Sequence, residues 1–209
     1  MALSLPLRPS KIVCVGRNYA AHARELGNAV PERPLLFLKP PSSLIGDGDA
    51  IVLPPESQRV EHEAEIGILL GRRSRHVSAA EAMQCVAGFL PLNDVTARDL
   101  QKLDVQFARA KGFDTFCPAG SPVAHADWRE LEITGRVNGS IRQHGRAADM
   151  IFGIPEIIAY VSRIMTLEAG DIIATGTPEG VGPLAPGDVV EIEIPGLGRI
   201  SNPVEAATR

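Results

Sequence analysis

The sequence predicts an α+β protein in which mixed β-sheets dominate and a few short helices accompany them. Short apolar segments rich in β-branched residues recur between Gly, Pro and Asn turn signals, whereas helical periodicity is confined to two segments. The segments do not alternate as strand, helix, strand, so a doubly wound parallel sheet is not expected. Asn138-Gly139 lies between two predicted strands and is a strong two-residue hairpin signal, which predicts antiparallel pairing there.

The strands are predicted from apolar runs that end at turn residues. In chain order they are Ile12–Val15, Leu35–Leu38, Ala50–Leu53, Val60–Leu70, Val86–Leu92, Leu131–Val137, Ser140–Gln143, Asp171–Thr175 and Asp188–Ile194.

Helices are predicted at Tyr19–Leu26 and Ile154–Met165. Asn18 can cap the first helix and Gly27 can end it. The second helix has its apolar residues three and four positions apart, as a helix lying on a sheet requires. These residues are Ile154, Ile157, Ile158, Val161, Ile164 and Met165.

Size, charge and cysteine content restrict the class of protein. The chain of 209 residues fits one domain, 1–209, large enough to bury most of a core. A formal net charge of -4 gives no basic stripe, so nucleic acid is not an expected partner. Cys14, Cys85 and Cys117 lie far apart, unlike the ligands of a zinc site or a disulfide framework. With no apolar run long enough for export or membrane spanning, we expect a cytoplasmic protein without a membrane partner.

The segment Val60–Gly67 carries the most informative pattern in the chain. Glu61, Glu63 and Glu65 alternate with other residues, and in an extended strand such residues point to the same face. Carboxylates packed side by side in a buried strand are unfavourable unless a cation screens them, and Mg²⁺ or Mn²⁺ would do so through oxygen ligands. On this segment alone, an acidic edge strand facing solvent explains the pattern equally well.

Asp94 supplies a third acid at a position that suits a metal ligand. It follows the apolar run 86–92, where a buried strand gives way to a loop or helix. Glu63, Glu65 and Asp94 together would leave room on an octahedral ion for water and a substrate that binds through two oxygens. The sequence therefore predicts a catalytic rather than a structural metal site.

Several segments together resemble the fumarylacetoacetate hydrolase family, over almost the whole chain. They are the residues from Lys11 to Tyr19, His22 with Glu25, His62-Glu63-Ala64-Glu65, the residues from Asp94 to Asp99, those from Ala110 to Asp114, and those from Thr175 to Pro183. The closest likeness is to the short acylpyruvate and fumarylpyruvate hydrolases, a group that also contains oxaloacetate decarboxylases and tautomerases. The resemblance implies the layered β roll of that family, a divalent metal, and usually a homodimer.

His22 and Glu25 form a second candidate constellation. Residues three apart on a helix share a face, and a carboxylate bonded to one imidazole nitrogen makes the other a better base. On spacing alone, a solvated surface pair is the more common explanation. The resemblance favours function instead, because relatives place a His and a Glu on a lid that closes over the metal. The lid would span about residues 16–34, with the loop Asn28–Pro34 as a mobile hinge.

The resemblance also assigns roles to four further residues. Lys111 would face the substrate and stabilise enolate or carboxylate charge, although the chain is shorter than close relatives just before it, at 103–107. A lone Lys is normally a solvated surface charge, as Lys39 and Lys102 are expected to be. Thr177 would hold the substrate carboxylate. Arg17 and Gln101 are weaker candidates for substrate contacts and are equally well explained as structural residues.

The segment 175–182 could also be taken for a phosphate-binding loop or a plain glycine-rich turn. It lacks the Gly-Lys-Ser/Thr ending that grips a nucleotide, so a phosphate-binding loop is disfavoured.

The function expected from these residues is metal-dependent cleavage of a C–C bond in a small 2,4-dioxo acid, an acylpyruvate, to pyruvate and a carboxylic acid. His22 and Glu25 would activate water, and Lys111 would stabilise the expelled enolate. The same site could decarboxylate oxaloacetate or tautomerise a related 2-oxo acid, which is the alternative expectation. A non-enzymatic binding protein that kept the fold is a third, disfavoured class.

Overall fold

The computed structural model describes residues 8–124 and 127–207. The strands are β1 (Ile12–Gly16), β2 (Leu35–Lys39), β3 (Leu44–Ile45), β4 (Ile51–Leu53), β5 (Val60–His62), β6 (Ala64–Leu70), β7 (Val86–Asn93), β8 (Thr96–Ala97), β9 (Cys117–Pro118), β10 (Glu132–Val137), β11 (Ser140–Arg146), β12 (Ile172–Ala174), β13 (Gly182–Pro183), β14 (Val189–Ile194) and β15 (Gly198–Ala206). The helices are α1 (Ala20–Glu25), α2 (Ala79–Ala82), α3 (Arg98–Leu103), α4 (Ala108–Lys111) and α5 (Ile154–Ile164).

Two mixed five-stranded sheets form the body of the protein. The first has the order β2-β1-β12-β6-β7, with β1 and β12 parallel and the other pairs antiparallel. The second has the order β11-β10-β14-β15-β4, with only β15 and β4 parallel. Strands β6 and β7 of the first sheet pack against β10, β14 and β15 of the second. The predicted α+β class with mixed sheets is confirmed.

Strand β6 is buried along its whole length and divides its side chains between two apolar clusters. Ile66, Ile68 and Leu70 belong to the larger cluster, which includes residues of the second sheet and of α5. Leu69 belongs to the smaller cluster on the other face. The first sheet is therefore covered on both faces, and a polar side chain on β6 lies in the interior unless it opens into a cavity.

The predicted strand Val60–Leu70 is in fact two strands that separate at Glu63. The Glu63 N–H donates to Asn93 Oδ1 at 3.0 Å, and its carbonyl accepts from Asp94 N–H at 2.9 Å. Strand β5 then pairs with β8 and β13 in a separate three-stranded sheet. The prediction of one continuous strand was wrong because the end of β7 takes over the hydrogen bonds of Glu63.

Helix α1 confirms its predicted position within one residue at each end, but its predicted cap was wrong. Tyr19 is the N-cap residue, without a side-chain hydrogen bond to the helix. The Asn18 amide instead donates to Phe152 O and Thr175 O and accepts from Phe152 N–H. Gly27 follows the helix with φ +70, the left-handed conformation expected of a residue that ends a helix.

The hairpin signal is confirmed, because Asn138 and Gly139 both have positive φ, 52 and 76, between β10 and β11. Helix α5 also forms, one residue shorter than predicted, and it buries its apolar stripe apart from the exposed Ile164 and the half-buried Met165. Helices α2, α3 and α4 were not predicted, since segments of four to six residues are too short to show a helical period. In the described ranges, no helix has the length and apolar character that crossing a membrane requires.

Candidate active site

Three buried carboxylates meet where β5 gives way to β6 and where β7 ends. Glu63, Glu65 and Asp94 each offer an oxygen atom, and these atoms all lie within 4.8 Å of one another. The break at Glu63 and the end of β7 bring them together, because Asp94 N–H bonds to Glu63 O. Glu65 projects from β6 on the face opposite Ile66 and accepts from Gly176 N–H at 2.8 Å. The structure therefore unites the three predicted ligands in one cluster.

Two lysines approach this cluster from different sides. Lys111 Nζ lies 2.7 Å from Glu63 Oε2 and 2.7 Å from Asp94 Oδ2. Lys39 Nζ lies 2.7 Å from Asp94 Oδ1 and also donates to Val95 O at 3.1 Å. Both lysines are buried, so the expectation that Lys39 is a solvated surface charge was wrong. The loop before α4 is short, but Lys111 still reaches the site. Lys111 is the last residue of α4, and that helix places it against the carboxylates.

Arg98 links the carboxylates of Glu61 and Glu63. Its Nε donates to Glu61 Oε2 at 2.7 Å, and its second guanidinium nitrogen, Nη2, donates to Glu63 Oε1. Glu61 also accepts from Arg59 Nε at 2.6 Å, so it is held by guanidinium groups rather than by the carboxylate cluster. The expectation that Glu61 projects into the same group as Glu63 and Glu65 was therefore wrong: only the latter two join Asp94.

The charges around the cluster are unevenly distributed. Burial by itself would raise the pKa of Glu63, but Lys111 and Arg98 outweigh it and hold that pKa well below the ordinary range. Burial raises the pKa of Glu65, and the neighbouring Asp94 and Glu63 raise it further. Among the residues in the described ranges, Glu65 receives a hydrogen bond from Gly176 N–H and has no ion-pair partner. Negative charge at Glu65 is thus poorly compensated by the protein.

This imbalance fits a divalent cation. Three carboxylate oxygens from separate side chains are the ligand type that hard cations such as Mg²⁺ and Mn²⁺ prefer. A cation held by Glu63, Glu65 and Asp94 would supply the positive charge that Glu65 lacks. The residues present therefore fit a metal centre of the predicted kind.

Helix α1 places the predicted His22–Glu25 pair at the same cavity. His22 Nδ1 lies 3.1 Å from Glu25 Oε2, and since a carboxylate can only accept, Nδ1 carries the proton. The other carboxylate oxygen, Oε1, accepts from Gly180 N–H at 3.0 Å. Glu25 thus both orients the imidazole and holds α1 against the segment 175–182. His22 is only 4% exposed, whereas Glu25 remains exposed, so the alternative of a solvated surface pair is wrong for the imidazole and holds for the carboxylate.

The cavity has a volume of about 430 Å³, and every residue predicted to act in the site lines it. Arg17 and Gln101 lie at its wall, where Gln101 accepts a hydrogen bond from Arg98. Arg17 has φ 57, a left-handed conformation that is uncommon for a residue with a side chain. The substrate contacts assigned to these two residues stay predictions.

Thr177 lines the same cavity as Glu65, on the loop that follows β12. Gly176 has φ +97, and a Cβ there would lie 2.7 Å from Asn18 Cβ, so this loop requires glycine. The Thr177 hydroxyl donates to Ala64 O at 2.9 Å, and Gln143 Nε2 donates to it at 2.7 Å. Binding of a substrate carboxylate by this residue stays a prediction.

Sequence reasoning missed three buried residues that support the site: Lys39, Arg98 and Gln143. Lys39 ends an apolar strand directly before two prolines, which is a weak signal of burial. Arg98 stood in a segment recognised for its aspartate, without a role of its own. Gln143 is 79 residues from its partner Ala64, and no local pattern could have connected them.

Comparisons with known proteins agree with this geometry. The family described as fumarylacetoacetate (FAA) hydrolase C-terminal matches residues 11–205. Among similar sequences, a protein of Arabidopsis thaliana named oxaloacetate tautomerase FAHD1, mitochondrial, is 45% identical over 203 residues, which cover 94% of this chain and 91% of the relative. A protein of Dictyostelium discoideum named oxaloacetate decarboxylase, mitochondrial, is 45% identical over 90% of this chain and 89% of the relative.

Solved structures show the same relationship. The crystal structure of a 5-carboxymethyl-2-hydroxymuconate delta-isomerase from Mycobacterium smegmatis superposes with a TM-score of 0.91 and 44% sequence identity, covering 98% of this chain and 82% of that chain. The predicted resemblance is thereby confirmed. The family match over residues 11–205, the relatives that are similar over about nine tenths of their length, and the shared fold all agree. This chain belongs to the fumarylacetoacetate hydrolase family.

Proposed function

We propose that this protein is a divalent-metal-dependent enzyme that interconverts the keto and enol forms of a small 2-oxo dicarboxylic acid of the oxaloacetate type. The observation that carries the proposal is the convergence on one cavity of three buried carboxylates, a buried lysine that pairs with two of them, and an oriented histidine. This is the alternative expected from the sequence. Relatives named as an oxaloacetate tautomerase and an oxaloacetate decarboxylase support it over acylpyruvate hydrolysis.

Lys111 acts as a fixed positive charge in this proposal. Burial by itself would lower the pKa of the Lys111 ammonium, but Asp94 and Glu63 outweigh it and raise that pKa above the ordinary value. In the protein without a bound cation, Lys111 therefore holds its proton. It can stabilise an enolate oxygen as charge develops there, a role of the oxyanion-hole type.

His22 is the proton-transfer group. Its Nδ1–H is held by Glu25, so Nε2 is the nitrogen that can accept a proton from the carbon next to the 2-oxo group and return it. The other acids that line the cavity, Glu63, Glu65 and Asp94, form the metal cluster, so they do not serve as the proton-transfer group in this proposal. Negative charge on Glu25 stabilises the imidazolium that forms during the transfer.

The cation has a separate task. When bound to Glu63, Glu65 and Asp94, it would supply Lewis-acid polarisation of the 2-oxo group. Arg17, at the wall of the cavity, is the candidate for the distal carboxylate of a dicarboxylic substrate. Decarboxylation would use the same cation and Lys111 without a proton acceptor, so it is the expected side reaction.

A substrate panel tests the proposal. With Mg²⁺ present, the protein is assayed for loss of the enol absorbance of oxaloacetate, for CO₂ release and for pyruvate formation from acetylpyruvate. We expect the largest kcat/KM for enol–keto exchange, and Glu65→Gln should abolish it while Glu205→Gln, an exposed control, should not. A larger kcat/KM for acetylpyruvate cleavage would return the assignment to the hydrolase.

A further inference from the structure

A second cavity lies beside the active-site cavity, and the proposed function leaves it without a role. Its volume is about 550 Å³, and it lies between the segment 31–36 and the last part of α5, from which Tyr160 and Ile164 line it. Leucine, proline and other apolar side chains predominate in the lining, whereas the charged Glu32 and Arg33 are exposed to solvent. Such a lining suits an apolar chain better than an ion.

Arg17 and Leu35 form the boundary between the two cavities, because these two residues line both of them. Leu35 begins β2 and pairs with Gly16 of β1. A Cβ at Gly16 would lie 3.3 Å from Leu35 Cδ2, so the Leu35 side chain packs over Gly16, which itself lines the active-site cavity. The boundary at this point is therefore a single layer of side chains.

Arg17 is half-buried at this boundary and has φ 57, a left-handed conformation. Within residues 8–124 and 127–207, its side chain has no hydrogen bond or ion pair, and it is not among the buried polar groups that lack a partner. Its guanidinium nitrogens therefore reach open space, where an anion can bind them. Backbone outliers of this kind cluster at ligand-binding and active sites, which makes Arg17 a candidate for function.

We propose that Arg17 sets the length of the substrate. It binds the second carboxylate of a short 2-oxo dicarboxylate and, together with Leu35, closes off an apolar cavity that would otherwise take a longer chain. Oxaloacetate carries its second carboxylate at C4. An apolar 2-oxo acid with more than four carbons must instead carry its chain past the guanidinium, which costs the hydration of a charge. The inference rests on the proposed function for the substrate class.

The test measures equilibrium binding by calorimetry with saturating Mg²⁺. Malate is the probe for a carboxylate at C4, and 2-oxobutanoate, 2-oxohexanoate and 2-oxooctanoate are the probes for chain length. In wild type, the affinity for the three 2-oxo acids should not increase with length, because the boundary stops the chain at C4. An increase of about fourfold per methylene group in wild type, as full burial of the chain implies, would overturn the proposal.

Arg17→Gly removes the guanidinium, and glycine adopts the positive φ of this position without strain. We expect malate to bind about tenfold more weakly, as the loss of a hydrogen bond between charged groups implies. The affinity for the 2-oxo acids should now increase about fourfold for each methylene group beyond C4.

Leu35→Ala opens the other part of the boundary and leaves the charge of Arg17 in place. It should give the increase with chain length without the loss of malate affinity. If neither Arg17→Gly nor Leu35→Ala gained affinity with chain length, this boundary would not separate the cavities, and the proposal would be overturned.

A tryptophan in the second cavity shows where the chain lies. Ile164 lines that cavity and is 52% exposed, so Ile164→Trp can fill the space with little effect on folding. Added to Arg17→Gly, it should remove the gain for 2-oxooctanoate and leave the affinities for malate and 2-oxobutanoate unchanged. Ile141→Trp is the matched control, at a 63% exposed isoleucine of β11 that lines neither cavity. A gain that persists in Arg17→Gly/Ile164→Trp would place the chain elsewhere and overturn the second cavity as its binding site.

The outcomes separate this inference from the proposed function, since none of the binding measurements needs turnover. A protein that shows the expected change of preference in Arg17→Gly but does not exchange the tautomers of oxaloacetate refutes the proposed function and supports the role of Arg17. A protein that exchanges the tautomers but whose Arg17→Gly and Leu35→Ala variants bind all four probes as wild type does refutes the role of Arg17 alone.

Discussion

Lys39 Nζ lies 2.7 Å from Asp94 Oδ1, and neither side chain is exposed to solvent. Lys39 is the last residue of β2 and Asp94 directly follows β7, and Asp94 belongs to the candidate metal cluster. The other oxygen of Asp94 pairs with Lys111, so each carboxylate oxygen has its own ammonium partner. Lys39 therefore compensates a buried charge whether or not a metal ion is bound.

Lys39→Met should show how much this ion pair contributes to the free energy of unfolding. Removing one partner of a buried ion pair leaves a buried charge uncompensated and costs about 3–5 kcal/mol of unfolding free energy. A divalent cation would replace part of the missing charge, so saturating Mg²⁺ should stabilise Lys39→Met more than it stabilises wild type. Urea denaturation with and without Mg²⁺ measures both effects. Lys102→Met, at an exposed lysine, is the control.

The same loss of stability with and without Mg²⁺ would contradict this account. It would mean that Lys39 supports packing but does not share Asp94 with the cation.

How much of the site was predictable depends on how far apart in sequence its parts lie. Glu63 and Glu65 were predicted as metal ligands because they alternate along a strand. Asp94 was predicted because it follows an apolar run. Lys39 lies 55 residues from Asp94, and no local pattern pairs them. The split of β5 from β6 was hidden for the same reason, because it depends on hydrogen bonds from the end of β7 to Glu63.

Glu65 should be the ligand whose removal separates metal binding from stability most clearly. Its charge is poorly compensated, since Asp94 and Glu63 are its neighbours and Gly176 N–H is its hydrogen-bond donor. Glu65→Gln removes that repulsion, so the metal-free protein should be at least as stable as wild type. At Mg²⁺ of about 100 times Kd, wild type should gain about 2.7 kcal/mol, and the variant should gain almost nothing.

Thermal or urea denaturation against Mg²⁺ concentration gives both numbers, with the exposed Glu205→Gln as the control. A variant that keeps the full Mg²⁺-dependent gain would show that the cation does not bind at this carboxylate.

Asp171 should make stability depend on pH far from the active site. Its carboxylate accepts from Ser10 N–H, from the Ser10 hydroxyl and from Glu168 N–H, and it pairs with Lys11. Burial by itself would raise the pKa of Asp171, but the Lys11 and Glu168 hydrogen bonds outweigh it and lower that pKa below the ordinary value. A lowered native pKa contributes stability above the unfolded pKa, which is lost as pH falls through the native value.

Asp171→Asn should therefore lower the free energy of unfolding by about 2–3 kcal/mol at neutral pH, as expected for the loss of hydrogen bonds to a charged group. The difference from wild type should shrink as pH falls below the unfolded pKa of about 4. Urea denaturation at several pH values measures this difference, and Asp114→Asn, at an exposed aspartate, is the control. If the difference in unfolding free energy between wild type and Asp171→Asn grew as the pH fell, the pKa of Asp171 would be raised rather than lowered, and the argument would be refuted.

His22 should be needed for proton transfer and not for metal binding. His22 Nδ1–H is held by Glu25, and its Nε2 is the group that can move a proton in the cavity. His22→Gln should lower kcat for enol–keto exchange by about 10²–10⁴-fold, the range for a general acid or base, with Mn²⁺ affinity nearly unchanged. Oxaloacetate decarboxylation, which needs the cation and Lys111 but no proton acceptor, should fall much less.

Glu25→Gln gives the finer comparison, because glutamine can still accept from Gly180 N–H but has no charge to stabilise the imidazolium. Its kcat for enol–keto exchange should lie between those of wild type and His22→Gln, and Arg24→Ala, on the exposed side of the same helix, should match wild type. Steady-state rates of both reactions and Mn²⁺ titrations on the four proteins decide the matter. If His22→Gln lowered the kcat of decarboxylation as strongly as that of enol–keto exchange, His22 would be acting by holding α1 in place. Loss of a proton-transfer group alone would spare the reaction that does not use it.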